Sequence, residues 1–288
     1  MRSAPHAVSF NRMQIDFTKM HGLGNDFIVF DAPTDTRLPT TAQWRALADR
    51  HTGIGFDQAL VILPARRSDS VAYYRIFNSD GGEVEQCGNG ARCVAALLHR
   101  RGLGTGDTLT MDSPGGLVHA RLLADGRVSV NMGPPDFQPR ALPFDAPARS
   151  HDYGVSVDGK TLHFGVVSMG NPHAVLRVER TDHAPVERIG KALQADPRFP
   201  RQVNVGFMQV IDRGHIRLRV YERGAGETLA CGTGACAAAV VGRDQQWLDA
   251  DVQVHVPGGL LSVHWDGEGA PVWLTGPAQI AFTGQVNF

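Results

Sequence analysis

One cysteine motif occurs twice in this sequence, half a chain apart. Residues 82–91 read G-E-V-E-Q-C-G-N-G-A and residues 226–235 read G-E-T-L-A-C-G-T-G-A, so the shared pattern is G-E-x-x-x-C-G-x-G-A. The two cysteines, Cys87 and Cys231, are 144 residues apart in a chain of 288. A repeat of this length predicts two copies of one structural unit that pack against each other.

Two further segments recur in the same order and support a duplication. P-G-G-L occurs at 114–117 and again at 257–260, and a Gly-Asn pair occurs at 24–25 and again at 170–171. Their offsets, 143 and 146 residues, are close to the offset of the cysteine motif. Because glycine-rich turns recur in unrelated proteins, the Gly-Asn pair alone would indicate little. Together the three patterns predict two homologous domains.

Each half of the chain combines strand patterns with one alanine-rich helix. In the first half, residues 71–78 and 127–132 have the β-branched, aromatic or alternating composition of strands. The segment after Cys87 is rich in alanine and leucine and ends in basic residues before Gly102, which predicts a helix. In the second half, another alanine-rich helix follows Cys231, and strands are predicted at 215–221, 252–256, 260–265 and 272–275.

Composition excludes several classes of protein. With 42% hydrophobic residues, 20% charged residues and a net charge of −1, the chain resembles a soluble globular protein and lacks the basic excess of nucleic-acid binders. No apolar run reaches the ~18 residues of a membrane span. Residues 1–12 contain arginines but no apolar centre of a secretory signal. We therefore predict a disordered extension at 1–12, with Met13 as an alternative start, and a cytoplasmic protein.

The four cysteines fall into two kinds. Their number does not suit a secreted disulfide framework, and five and four residues separate the nearest pairs, unlike the C-x-x-C of a disulfide oxidoreductase. A zinc site is disfavoured because it needs shorter pairs or nearby histidines. Cys93 and Cys236 lie inside the predicted helices, where cysteine is usually a small buried residue. Cys87 and Cys231 remain as the candidates for chemistry.

A cysteine at a helix start has two chemical advantages. The helix N-terminus carries partial positive charge and unpaired N–H groups, so we expect a thiol pKa below its ordinary ~8.5. The glycines that follow each cysteine leave these N–H groups open to a carboxylate. If a pseudo-twofold axis brings both helix starts together, one thiolate can remove the α-proton of a bound carboxylate while the other thiol protonates the opposite face. This two-base inversion requires no pyridoxal cofactor.

The sequence also resembles the diaminopimelate epimerase family from about residue 13 to the C-terminus. The similar segments are M-H-G-L-G-N-D-F (20–27), G-F-D-Q (55–58), F-N-S-D-G (77–81), Q-C-G-N-G-A-R-C (86–93), M-G-N-P-H (169–173), N-V-G-F (204–207) and Y-E-R-G-A-G-E-T-L-A-C-G-T-G (221–234). The family more usually has Glu at Gln86, a departure that leaves the cysteine motif intact.

The resemblance implies an α/β (α+β) fold of two pseudo-symmetric domains, each a mixed sheet wrapped around a central helix. We place the first domain at 13–133, joined by a C-terminal strand at 277–288, and the second at 134–276. The implied activity is the cofactor-independent interconversion of LL- and meso-2,6-diaminopimelate, an isomerase reaction of lysine and peptidoglycan precursor biosynthesis. The implied partners are this small-molecule substrate and a second copy in a homodimer, with no cofactor, metal, nucleic acid or membrane.

The resemblance also assigns site residues. Cys87 and Cys231 match the acid–base pair, which His173 and Glu222 assist. Backbone groups that match the carboxylate cradle belong to Gly88, Asn89, Gly232 and Thr233. Side chains that match substrate contacts belong to Asn25, Gln58, Asn78, Asn171, Asn204, Glu222 and Arg223. These types suit a substrate with two amino and two carboxylate groups, since Arg223 can bind a carboxylate bidentately and Glu222 an ammonium group.

Three alternatives stay open at this point. A proline or hydroxyproline racemase shares the fold and the cysteine pair, although its substrate would leave Arg223 without a purpose. A second alternative keeps the fold but isomerises its substrate with a carboxylate. A third is a thiol or metal-binding protein without catalysis. The sequence does not indicate which cysteine is the base for which stereoisomer.

Overall fold

The computed structural model describes residues 14–35 and 38–287. The predicted extension at 1–12 and Met13 lie outside the described residues. The first half contains helices α1 (Thr41–Ala48) and α2 (Gly88–Arg100) and strands β1 (Gln14–Gly22), β2 (Asn25–Asp31), β3 (Gln58–Leu63), β4 (Tyr73–Asn78), β5 (Glu83–Val84), β6 (Thr108–Ser113), β7 (Gly116–Leu122) and β8 (Val128–Asn131).

The second half repeats this order. It contains helices α3 (Val186–Gln194) and α4 (Gly232–Asp244) and strands β9 (Tyr153–Val157), β10 (Lys160–Ser168), β11 (Pro172–Arg177), β12 (Asn204–Asp212), β13 (His215–Glu222), β14 (Gly226–Thr228), β15 (Asp251–Val256), β16 (Gly259–Trp265), β17 (Val272–Gly276) and β18 (Gln279–Asn287). Two short 3-10 helices lie at Pro139–Ala141 and Thr181–His183.

The strands of the two halves pair in the same pattern. In the first half β1 is antiparallel to β2, β2 parallel to β3, β3 antiparallel to β4, and β4 parallel to β6. In the second half β10, β11, β12, β13 and β15 repeat these four pairings in the same order and sense. Each half then closes with an antiparallel meander, β6–β7–β8 or β15–β16–β17. The predicted fold class, with two pseudo-symmetric mixed sheets, is confirmed.

Two strand pairings connect the halves. β8 pairs with β17, so hydrogen bonds join the mixed sheets of the two halves into one continuous sheet. β18 returns to the first half, where it runs antiparallel to β1 from the Gln14–Asn287 pair to the His21–Gln279 pair. In the second half β9 occupies the matching position beside β10. On this basis we propose domain boundaries at 13–133 with 277–288, and at 134–276.

Each sheet wraps around one buried helix. Ten of the thirteen residues of α2 are buried, as are ten of the thirteen of α4, so neither helix has the polar face of a surface helix. The alanine methyl groups of α4 allow close approach of Val220, Val254 and Leu261 from the surrounding strands. Smaller apolar clusters form under α1 and α3 on the outside of the sheets. Within 14–35 and 38–287, no helix is long and apolar enough to cross a membrane.

Candidate active site

Cys87 and Cys231 are the N-cap residues of α2 and α4. Both have an extended backbone, with φ of −151° and −111°, because the chain reaches each helix from a short strand, β5 or β14. The Gly90 N–H donates a hydrogen bond to Cys87 Sγ at 3.4 Å. At Cys87 a sulfur thus takes the place of the usual oxygen acceptor at a helix start, whereas the Cys231 side chain makes no such capping bond.

The first turns of α2 and α4 meet at the centre of the molecule. A Cβ added at Gly232 would lie 3.9 Å from the Cα of Gly88. Leu274 Cδ2 would lie 3.0 Å from that added Cβ and 3.3 Å from one added at Gly88. A side chain at either position would crowd Leu274, so the two glycines favour this close approach of the helix starts. The duplicated motif brings the two cysteines to one site, as the pseudo-twofold arrangement predicted.

A cleft of about 1310 Å³ opens between the halves at these helix starts. Most of the predicted site residues line it: Asn25, Gln58, Asn78, Cys87, Gly88, Asn89, Asn171, Glu222, Arg223, Cys231, Gly232 and Thr233. The other two, His173 and Asn204, are buried behind its wall and only 1% and 4% exposed. Residues distributed over 200 positions of the sequence are thereby brought to one cavity.

In the second half, Cys231 is held by a carboxylate. Its Sγ donates to Glu222 Oε2 at 3.0 Å and lies 3.6 Å from Thr233 Oγ1. The Thr228 hydroxyl donates to the other oxygen of Glu222. Because Glu222 accepts from both groups, its orientation is fixed beside the Cys231 thiol.

In the first half, amide groups surround Cys87. The Asn25 Oδ1 lies 3.9 Å from Cys87 Sγ and accepts a hydrogen bond from Asn89 Nδ2 at 3.1 Å. Further along the cleft, Gln58 Nε2 donates to Asn78 Oδ1 at 2.9 Å. The side chain hydrogen-bonded to the Cys87 sulfur is therefore a neutral amide, whereas the Cys231 sulfur is hydrogen-bonded to an anion.

Burial raises the pKa of both thiols. It raises the pKa of Cys87 to about 11, against the opposing effects of the Gly90 N–H and the Arg92 charge. It raises the pKa of Cys231 well above its ordinary value, and the Glu222 carboxylate raises it further. The predicted lowering of the thiol pKa is therefore wrong. The helix starts meet in a packed centre, where loss of hydration disfavours the thiolate more than N–H donors favour it.

His173 and Asn204 position residues that line the cleft. His173 lies on β11, and its Nε2 is 3.0 Å from Asn171 Oδ1, while Asn171 Nδ2 donates to Thr233 Oγ1 at 3.3 Å. Asn204 Oδ1 accepts from the backbone N–H of Arg223 at 2.8 Å. Burial, with a smaller effect of the Arg223 charge, lowers the pKa of His173 to about 3, so its imidazole is neutral near pH 7.

The buried imidazole predicts an acid-sensitive fold. The unfolded chain binds a proton at His173 below about pH 6.5, whereas the folded chain does not until about pH 3, so stability falls as the pH falls through this window. This single group should cost about 2 kcal/mol between pH 7 and pH 5. The variant His173→Phe, which copies the equivalent Phe27 of the first half, should lose that dependence. Urea unfolding of both proteins at pH 7 and pH 5 measures it, and an equal acid sensitivity would contradict the assignment.

Sequence reasoning did not anticipate an ion-pair cluster on the wall of the cleft. Lys19 Nζ lies 2.6 Å from Asp26 Oδ2, and Arg50 binds Asp26 through both terminal nitrogens and Asp57 at 2.8 Å. Asp57 Oδ2 in turn accepts from Asn25 Nδ2 at 2.9 Å. Asp26 and Asp57 belong to the M-H-G-L-G-N-D-F and G-F-D-Q segments, so these motifs could have indicated the acidic residues of the cluster. Their basic partners lie outside these segments.

The four cysteines carry no disulfide bond. Across the described ranges, 14–35 and 38–287, no group of three or more His, Cys, Asp or Glu side chains is placed to hold a metal ion.

Most of the chain matches a known protein family. A family model described as diaminopimelate epimerase matches residues 17–138 and 165–281, one segment for each half. The chain belongs to the diaminopimelate epimerase family. A diaminopimelate epimerase of Alkalilimnicola ehrlichii is 54% identical over 277 residues, covering 96% of this chain and 99% of the relative. One of Ectopseudomonas mendocina is 52% identical over 275 residues, covering 96% and 100%.

Solved structures outside the diaminopimelate epimerase family share its fold at low sequence identity. A hydroxyproline epimerase from Agrobacterium vitis with bound trans-4-hydroxy-L-proline aligns with a TM-score of 0.70 and 17% identity, covering 97% of this chain and 94% of that structure. A Bacillus anthracis phenazine biosynthesis protein of the PhzF family aligns with a TM-score of 0.70 and 18% identity, covering 95% and 99%. The fold thus extends beyond the family, and site residues must distinguish the reactions.

Proposed function

We propose that this chain is an isomerase that interconverts LL- and meso-2,6-diaminopimelate without a cofactor, by moving the α-proton between Cys87 and Cys231. The observation that carries the proposal is the pair of cysteines at two helix starts that meet in one cleft. Membership of the diaminopimelate epimerase family, with relatives above 50% identity over 96% of the chain, supports the substrate. The reaction belongs to lysine and peptidoglycan precursor biosynthesis.

The helix starts bind the reacting carboxylate in this proposal. The backbone N–H groups of Gly88 and Asn89 on one side, and of Gly232 and Thr233 on the other, are among the unpaired donors of their helices. A carboxylate between them places its α-carbon between the two sulfurs. Negative charge that develops on the carboxylate as the α-proton leaves is stabilised by both helix ends. Exclusion of water from the cleft strengthens this effect.

Proton transfer then inverts the α-carbon. One sulfur, as thiolate, takes the α-proton and breaks the C–H bond, and the electron pair moves into the carboxylate. The other sulfur, as thiol, delivers its proton to the opposite face, so a new C–H bond forms with inverted configuration. Glu222 orients the Cys231 thiol, and His173 acts through Asn171 and Thr233 to orient the second cradle.

The distal end of the substrate meets polar side chains further along the cleft. The Arg223 side chain is exposed on the wall, and its Nη1 donates to the carbonyl of Arg201 at 3.1 Å. Its remaining donors can bind a distal carboxylate. Gln58 Oε1 is buried and has no hydrogen-bond partner among the described residues, so it can accept from an ammonium group. Asn25, Asn78, Asn171 and Asn204 complete the proposed set, the last through its hold on Arg223.

We also propose a cytoplasmic homodimer that pairs through β18. This strand is hydrogen-bonded to β1 on one side, and its outer residues Ile280 and Phe282 are 36% and 50% exposed. An exposed apolar edge strand is a ready surface for a second copy of the chain.

An isotope experiment tests the proposed reaction. Purified protein incubated with LL-diaminopimelate in D₂O, with no cofactor added, should form the meso isomer and incorporate deuterium at the inverted α-carbon. Incubation with meso-diaminopimelate should form the LL isomer. Proline and trans-4-hydroxy-L-proline serve as control substrates. Efficient racemisation of either cyclic amino acid, with no exchange into diaminopimelate, would contradict the proposed substrate.

A further inference from the structure

The internal repeat aligns the surroundings of the two cysteines, and two of the aligned positions differ in charge. An offset of 144 residues places Cys87 on Cys231 and all of α2 on α4. At the same offset Arg92 corresponds to Cys236, and Asn78 corresponds to Glu222. The first cysteine therefore has a nearby cation where the second has a neutral residue. The second cysteine has an anion where the first has an amide.

Arg92 is a fully buried cation at the junction of the two halves, with 0% exposure. Its Nη2 donates to Asn89 Oδ1 at 2.8 Å and its Nε to the carbonyl of Pro277 at 3.4 Å, while Nη1 has no partner in the part of the chain that the structure describes. A Cβ at Gly22 or Gly276 would lie only 3.1 or 3.2 Å from the guanidinium, so both glycines leave room for it. Burying an incompletely paired charge is costly, which calls for a functional explanation.

Arg92 also sets the orientation of an amide chain that leads to Cys87. Because Asn89 Oδ1 accepts from Arg92, its Nδ2 must point the other way, where it donates to Asn25 Oδ1 at 3.1 Å and to the carbonyl of Ala230 at 3.4 Å. Asn25 is held from its other end by Asp57. The guanidinium thus fixes the side chain of Asn89, the residue whose backbone N–H belongs to the proposed carboxylate cradle.

The titratable and charged groups that act most strongly on the two sulfurs differ. Around Cys87 they are Arg92 and Cys93 of α2, the fully buried Tyr74 of β4, and Glu222 of β13. Burial raises the pKa of Tyr74, so it is neutral, and burial raises the pKa of Cys93 to about 12. Arg92 is the one cation in this set. Around Cys231 the charged group is Glu222, whose Oε2 accepts a hydrogen bond from the thiol at an S···O distance of 3.0 Å.

We propose that Arg92 is a positioning residue that makes the two cysteines unequal, so that Cys87 is the sulfur that loses its proton first. Cys231 meanwhile stays a thiol that donates its hydrogen bond to Glu222. The guanidinium acts by its charge and by its hold on Asn89. The proposal deepens the two-cysteine function and rests on it. It predicts that Cys87 becomes the base more readily than Cys231, and that Cys231 more readily acts as the acid.

Alkylation of the full-length protein tests this without substrate. Iodoacetamide reacts with thiolates, and mass spectrometry of the digested protein reports each cysteine separately between pH 7 and pH 10.5. In the wild type, alkylation of Cys87 should rise at a lower pH than that of Cys231. Arg92→Met should slow Cys87 alkylation about tenfold below its midpoint, a shift of about one pKa unit, and leave Cys231 within about twofold. Comparing each cysteine with itself across variants cancels differences in access.

Two further variants separate charge from structure. Arg92→Lys keeps the cation and should keep Cys87 alkylation within about threefold of the wild type. Glu222→Gln removes the anion and should speed Cys231 alkylation more than that of Cys87. If Arg92→Met does not fold, as judged by circular dichroism, these two variants still test the proposal.

Equal pH dependence of both cysteines in the wild type would overturn the proposal. An unchanged Cys87 profile in folded Arg92→Met, or a lysine variant that slows Cys87 tenfold, would also overturn it. Because no substrate is used, this result is independent of the assignment of diaminopimelate.

Discussion

Replacing either Cys87 or Cys231 by alanine is expected to reduce epimerisation at least about a thousandfold. Inversion needs a base on one face of the α-carbon and an acid on the other, and a positioned acid or base typically contributes 10²–10⁴-fold. With one sulfur gone, the remaining thiol can return a proton only to the face from which it was taken. Conversion of LL- to meso-diaminopimelate, followed by chromatographic separation of the isomers, measures the loss.

The other two cysteines provide matched controls for this experiment. Cys93 and Cys236 lie one turn or more further along the same helices and are 0% exposed in the two central cores. Cys93→Ala and Cys236→Ala remove one sulfur each from the packing, at a stability cost on the order of 1 kcal/mol, and should retain most of the activity. Near-normal turnover in folded Cys87→Ala or Cys231→Ala would refute the two-base mechanism.

Arg223→Met is expected to lower kcat/KM for diaminopimelate by at least about tenfold. The proposed contact is a charge-assisted hydrogen bond to the distal carboxylate, and such bonds contribute roughly 1.5–3 kcal/mol. About 1.4 kcal/mol corresponds to a factor of ten in rate. Methionine preserves much of the length of the side chain but removes every donor. Steady-state kinetics with both stereoisomers measures the effect.

The neighbouring Arg201 offers a control of the same residue type. It contributes only its backbone carbonyl to Arg223, so Arg201→Met should leave kcat/KM within about twofold. Lysine, which lacks the distal carboxylate, should be a poor substrate of the wild type and should lose little more with Arg223→Met. An equal loss of kcat/KM for lysine and diaminopimelate would mean that Arg223 does not bind the distal carboxylate.

Local patterns in the sequence were sufficient for the centre of each half. The strand predicted at 71–78 is β4 (Tyr73–Asn78), and both alanine-rich helices begin directly after their cysteines. Helix α1 was not predicted. It is only 8 residues long, and its Thr40–Gln43 capping box is a weak signal beside the packing of Trp44 under the sheet. Its place in the fold is decided by tertiary contacts.

The same limit applies to the site. Motifs indicated which residues come together, since each lies at a strand end or helix start that the duplication repeats. They did not indicate how deeply each group is buried, and burial decides the pKa of these groups. His173 is 1% exposed and its pKa falls, and the cysteines lie in a packed centre where their pKa rises. Hydration is lost only when distant segments pack, so a sequence pattern does not contain it.

The return of β18 to the first half has a consequence for synthesis on the ribosome. The sheet of residues 14–131 lacks the partner of β1 until residues 279–287 have been made. The nascent first half therefore presents an open edge throughout translation of the second, and open strand edges favour pairing with other chains. The contact between β1 and β18 joins residues more than 250 positions apart, so it can form only late in folding. The sheet of the first half is therefore complete only when the whole chain has been made.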